Sequence, residues 1–275
     1  MVLYLAFAAH DLIAPYIDIH GKSPLAVSNK YHVGFAPSRP LLAIAWPLDF
    51  FTNMYAQLYM YSICGGKRIF PNIFYVSWII GANLSSIWTF AFANEMHVAS
   101  LLIIGSKCFL LVLQLIAGMK TIKNEKGKVD DEIHRNLQST VIESVAILTV
   151  WSFTAYASIV THALAWEYSA NLEVAVNRDW ISYDTASMVG LCSLISVFII
   201  WTIADLFIYP SYTACIDSAY PMFVFGGFGL FLSNYIGSTG FNKYHGVCLT
   251  LGLVALVVYR LRHTIKDETR RKKIN

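Results

Sequence analysis

Trp46, Asp49, Asn53 and Gln57 recur about one helical turn apart inside the stretch 41–63, LLAIAWPLDFFTNMYAQLYMYSI. At that spacing their side chains share one helical face. An indole, a carboxylate and two carboxamides on one stripe can grip a flat apolar ligand and orient it with a few hydrogen bonds. Such a stripe must turn toward protein or water, because lipid offers it no partner.

Ionisable groups in other apolar stretches mark further candidates, since an isolated charge in the bilayer costs roughly 2.5–3.5 kcal/mol even on insertion scales. Lys107 interrupts an otherwise aliphatic segment. With 1.5 Å of rise per residue, Asp49 and Lys107 lie at equal depth, ~12–14 Å from the same face. They are therefore expected partners, either as a polar post in a ligand pocket or as a structural bridge between helices. Glu143 and Asp205 fall near the inner ends of their segments, where they reach interfacial water and serve structure. Trp151, Thr154, Ser158 and His162 share a second face, with His162 expected as a hydrogen-bonded interface residue and not a metal ligand. Gly81, Ser85, Trp88 and Phe92 share a third, beside Asn83 as an additional buried donor.

None of the patterns that carry catalysis is present: no HExxH, no GxSxG and no phosphate-binding loop. Gly226, Gly227 and Gly229 lie inside an apolar run and read as a packing surface or a flexible point. The five cysteines, Cys64, Cys108, Cys192, Cys215 and Cys248, lack CxxC spacing and imply no disulfide or zinc framework. The expectation is a protein that is not an enzyme and holds no metal.

The elements that must position these residues are membrane helices. Of the 275 residues 56% are hydrophobic and only 13% charged, and the mean hydropathy is +0.53. A soluble chain of this length needs a more charged surface. Apolar segments run over 1–19, 41–63, 71–93, 98–119, 140–164, 186–209, 219–236 and 245–261. The first is broken by His10, Asp11 and Pro15, so the fold class is an all-α polytopic membrane bundle of seven to eight transmembrane helices. Pro71 is expected as a first helical residue and Pro210 as the stop of the 186–209 helix. The stretch 120–139 reads as a solvated helical extension.

Charge placement orients the bundle. Lys67, Arg68, Lys120, Lys123, Lys126, Lys128 and Arg135 fall in loops on the same side as the tail. That tail, 262–275, follows Arg260 and carries Arg262, Lys266, Arg270, Arg271, Lys272 and Lys273. The other side has only Lys22, Lys30, Arg39, Arg178 and Lys243. The positive-inside rule then places the C-terminus in the cytoplasm. Beside a membrane exit, the basic tail is expected to meet anionic headgroups and not nucleic acid.

A Pro-rich outer loop, a helix with Trp46, one with Asn83 and Trp88, an aliphatic segment and the Trp151 helix follow in order. DTASMVGLCSLISVFIIWTIADLFIY and AYPMFVFGGFGLF come next. This succession resembles the tryptophan-rich sensory protein (TspO, or translocator) family, in an extended animal branch with added C-terminal helices. Asn83 and Trp88 are five apart where the family commonly has three, and Thr154 and His162 stand where the branch usually has Trp and Asn. The resemblance implies a five-helix unit over 1–164, further helices over 165–261 and a single transmembrane domain throughout. It also implies a pocket for a tetrapyrrole or sterol, covered by the first long loop.

The function expected is binding or passage of a small hydrophobic ligand in an aromatic-lined pocket. Its ligand-binding residues would be Trp46, Asp49, Asn53, Asn83, Trp88, Lys107, Trp151 and Ser158, with the bilayer and a second copy of the chain as partners. The alternatives are a secondary transporter or channel using Asp49, Lys107 and Asp205, and a receptor or accessory subunit.

Overall fold

A computed structural model describes residues 70–125, 132–170, 182–213, 216–237 and 243–274, together with 23, 26–27, 47, 51–52, 54–56 and 58. The expected spans 1–19 and 41–63, and with them Trp46, Asp49, Asn53 and Gln57, lie outside the described residues apart from those few positions. The order of elements is α1 (Asn72–Ala93), α2 (His97–Glu125), α3 (Glu132–Ala170) and α4 (Tyr183–Ile203). A π-helical turn (Ala204–Ile208), the short α5 (Pro210–Thr213), α6 (Ala219–Gly237) and α7 (Lys243–Ile274) follow. Among the described residues there is no strand.

Five of these helices are long and apolar enough to cross a membrane: Asn72–Ala93, His97–Asn124, Ser139–Ala165, Asp184–Ile208 and Gly246–Thr264. The apolar part of α6, Ala219–Leu232, is shorter. Many hydroxyls inside the spans are satisfied locally by carbonyls of their own helix. Thr89, Thr149 and Thr161, for example, donate to the carbonyls of Ser85, Val145 and Ala157 one turn back.

The helix ends follow local chemistry. Pro71 is the N-cap of α1 with extended backbone (φ −67°, ψ 158°), one position earlier than expected, so the helix proper starts at Asn72. α1 ends in a paired-bond cap: the amides of Glu95 and Met96 donate to Phe92 and Ala91 carbonyls at 3.0 and 2.9 Å. Glu95 takes the left-handed position (φ 59°) that glycine usually fills. The Ser182 hydroxyl caps α4 by accepting from the Thr185 amide at 3.2 Å.

At the other end of α4, Pro210 does not stop a plain α-helix. The chain first widens into the π turn, closed by the Tyr209 amide donating to Ala204 at 2.7 Å, and restarts at Pro210 as α5. A residue before proline is driven out of the α region, and Tyr209 (φ −128°, ψ 39°) absorbs that break.

α3 is the central helix. Within its most apolar window 72% of residues are buried, against 22% for α4. α2, α4 and α6 all pack on α3, α1 packs on α2, and α7 packs on α6. The principal core gathers Phe74, Trp78, Leu115, Ile142, Tyr220 and Phe223 with their neighbours. Phe74 stacks on Phe70 (ring centroids 4.2 Å apart) and meets Trp78 edge-on. The outward faces remain apolar, as with Ile79, Leu102, Ile200 and Val257, which suits side chains that meet lipid.

Small residues set the closest helix approaches. A Cβ on Gly227 would sit 2.8 Å from the Gly252 amide nitrogen and 3.0 Å from the Cys248 carbonyl oxygen, so α6 and α7 touch backbone to backbone there. Of the α6 glycines, Gly227 is thus a packing contact, whereas a Cβ on Gly226 would meet, among the described atoms, only Thr154 Oγ1, at 4.0 Å. Gly81 plays no such part, because no described atom lies within 4 Å of its would-be Cβ.

Candidate functional site

The ends of α2, α4 and α7 and the starts of α1, α3 and α6 gather at one end of the bundle, together with Lys120, Lys123 and Arg262. Two arrangements are built at this basic end.

The first is a buried ionic knot. Arg262 of α7 is 3% exposed, and its Nε lies 2.8 Å from Asp205 Oδ2 in the π turn. Its Nη1 pairs with Asp217 and its Nη2 donates to the Thr213 carbonyl at 2.8 Å. Tyr220 donates its hydroxyl to the same Asp205 oxygen at 2.8 Å. From α3, Glu143 accepts the backbone amides of Asp217 and Ser218 at 2.6 and 2.8 Å, capping the N-terminus of α6 from a neighbouring helix. Glu143 and Asp205 were expected near interfacial water. The structure places Asp205 out of its reach, 3% exposed, because Arg262 and Tyr220 replace the solvent. Arg262, counted with the basic tail in sequence, is a buried core residue instead.

The second is a crevice of about 700 Å³ between α2 and α4. Both helices pack on α3 and leave a gap, floored by Thr149, Val150 and Phe153 of α3 and Phe223 of α6. Ile116 and Ile200 flank it and are 41% and 67% exposed, so its side opening is continuous with the apolar outer surface. Trp201, Tyr209 and Tyr212 add an aromatic wall, and Lys120 stands at the basic end. α5 closes that end: Lys123 Nζ donates to Ser211 Oγ at 3.2 Å and sits 3.5 Å from the Tyr212 ring centroid.

The residues singled out by sequence lie elsewhere. Trp88 belongs to a buried aromatic cluster at the opposite end of the bundle, and Ser158 is buried one turn before His162. There Trp88 stacks on Phe92 (5.9 Å), and Phe92 meets His162 and His97 edge-on (5.4 and 5.7 Å). Val27, from the first long loop, packs into the same cluster. His162 is a hydrogen-bonded core residue, its Nδ1 lying 2.7 Å from the Ser158 carbonyl oxygen. Asn83 is half-buried and donates to the Ile79 carbonyl of its own helix at 2.7 Å, which spends its amide locally. Lys107 and Trp151 are half-buried, and neither lines the crevice. Trp46, Asp49 and Asn53 lie outside the described residues, and with Asp49 lies the expected partner of Lys107.

Sequence reasoning missed Trp201, Tyr209, Tyr212 and Lys120 as a set. The signal was present in WTIADLFIYPSY, where an aromatic-rich helix end runs into a proline break. Among the described residues no group of three or more His, Cys, Asp or Glu side chains is placed to hold a metal. The chain matches no known protein-family model, no curated protein and no solved structure.

Proposed function

We propose that the protein is a non-enzymatic, multi-pass membrane protein that takes a small hydrophobic ligand from the bilayer into the crevice between α2 and α4. The observation that carries this reading is the crevice itself. Its volume of about 700 Å³ falls within the ~300–1,000 Å³ typical of ligand pockets, its lining is mostly apolar and aromatic, and it opens on the lipid-facing side. With the two N-terminal segments, α6 and the five described spans, the bundle has seven to eight transmembrane helices and a cytoplasmic C-terminus. A planar tetrapyrrole or sterol suits the aromatic wall. The reading rests on the crevice and not on the resemblance to the TspO family.

The ion-transport alternative needs acids free to change partners. Asp205, the acid on which it leaned among the described residues, is held by Arg262 and Tyr220. That favours ligand binding.

The test is a titration of the detergent-purified full chain with protoporphyrin and with a fluorescent sterol, following tryptophan emission. Saturable quenching is expected, with the Trp201→Phe variant losing part of its amplitude. Ala204→Phe, which fills the crevice, should weaken it at least tenfold. Absence of saturable quenching by either ligand, or indifference to Ala204→Phe, would overturn the proposal.

A further inference from the structure

The basic end of the crevice carries positive charge that no described acid balances. Trp201 lines its wall. Lys120 stands at its basic end without an ion-pair partner among the described residues. Thr149 and Thr213, the hydroxyl-bearing threonines of the lining, already donate to Val145 and Tyr209 carbonyls in their own helices. The described acids at that end are engaged as well: Asp205 and Asp217 by Arg262, and Glu143 by the first amides of α6. Lys123, one turn beyond Lys120, adds a second cation while holding α5 in place. An occupant that carries negative charge to that end is favoured there.

From this we infer that the crevice binds an anionic phospholipid from the leaflet at the basic end. Its acyl chain lies along Val150, Phe153 and Phe223, and its phosphate sits at Lys120. The inference rests on the crevice being open to the bilayer, as proposed above. Two features select this occupant. The side opening between Ile116 and Ile200 admits a chain from lipid without passage through water. A zwitterionic headgroup would bring its own cation toward Lys120 and Lys123, a like-charge contact that an acidic headgroup avoids.

The experiment uses the full chain reconstituted in phosphatidylcholine vesicles that contain, at equal mole fraction, either brominated-chain phosphatidic acid or brominated-chain phosphatidylcholine. Bromine quenches tryptophan on contact, and the difference between the native protein and Trp201→Phe isolates the crevice among the seven tryptophans. The expected result is an excess of roughly fivefold for phosphatidic acid in the Trp201 signal. That excess should fall to near parity in Lys120→Met and be retained in Lys120→Arg.

Equal quenching of Trp201 by both lipids would overturn the headgroup assignment while leaving a lipid-accessible crevice. Loss of the excess on neutralising Arg270, Arg271, Lys272 and Lys273, with no loss in Lys120→Met, would overturn it in favour of the tail. Absence of Trp201 quenching by either lipid would remove the open crevice and the proposed function with it.

Discussion

Arg262 Nε lies 2.8 Å from Asp205 Oδ2, joining the end of α7 to the π turn that follows α4. Both side chains are almost wholly withdrawn from solvent, at 4% and 2% exposure. Removing either partner alone leaves an uncompensated buried charge, which typically costs ~3–5 kcal/mol. Asp205→Asn and Arg262→Met should therefore each destabilise the protein by about that amount in a reversible unfolding assay. The double variant is expected to recover much of the loss, with a coupling energy of ~1–3 kcal/mol. Strictly additive losses would show that the two charges do not depend on one another.

Tyr220→Phe deletes one hydrogen bond to a carboxylate and leaves the ring packed against Phe198. The expected cost is ~1.5–3 kcal/mol, the range for bonds to charged groups. In an Asp205→Asn background the same change should cost distinctly less. An equal cost in both backgrounds would mean the hydroxyl acts through something other than Asp205.

Glu143 caps α6 from α3 with two short amide bonds. Glu143→Ala should cost ~1–2 kcal/mol, as losing a strong N-cap does. Faster amide exchange should appear in the first turn of α6 but not in α1. Uniform exchange throughout would argue against a local cap.

Gln114 is buried in α2 at 1% exposure, and neither its amide nitrogen nor its carbonyl oxygen has a partner among the described residues. Replacing an unsatisfied carboxamide by an apolar group of similar shape removes a desolvation cost of ~1–3 kcal/mol. Gln114→Leu is accordingly expected to raise the unfolding temperature. A lowered temperature would show that the carboxamide contributes to stability.

Gly227→Ala would force a methyl carbon against the backbone of Gly252 and Cys248. The helix pair must then separate, at a cost of ~1–3 kcal/mol for overpacking. Gly81→Ala, with no described atom within 4 Å, should be neutral or slightly stabilising by the same assay.

Much of the fold was legible because lipid leaves a backbone few choices. A long apolar run must satisfy its own amides, so 71–93, 98–119, 140–164, 186–209 and 245–261 read directly as the five helices able to cross a membrane. The candidate site was less legible. The spacing put Trp88 on one helical face and Ser158 and His162 on another, whereas the crevice formed from Phe153, Trp201, Tyr209 and Tyr212, residues far apart in the chain. Helical periodicity states which residues share a face. It does not state that α2 and α4 would stand apart on α3, which is what opens the gap.

The sequence by itself determined the all-helical class, the apolar spans and the cationic character of one end, because each follows from local composition. Only the tertiary structure decided which basic residue turns inward. Among the cations after residue 259, Arg262 meets Asp205, and the reason is register. The backbone contact at Gly227 and Gly252 fixes the height of α7 against α6. That height brings Arg262 level with Asp217, with Thr213 and with the π turn that carries Asp205.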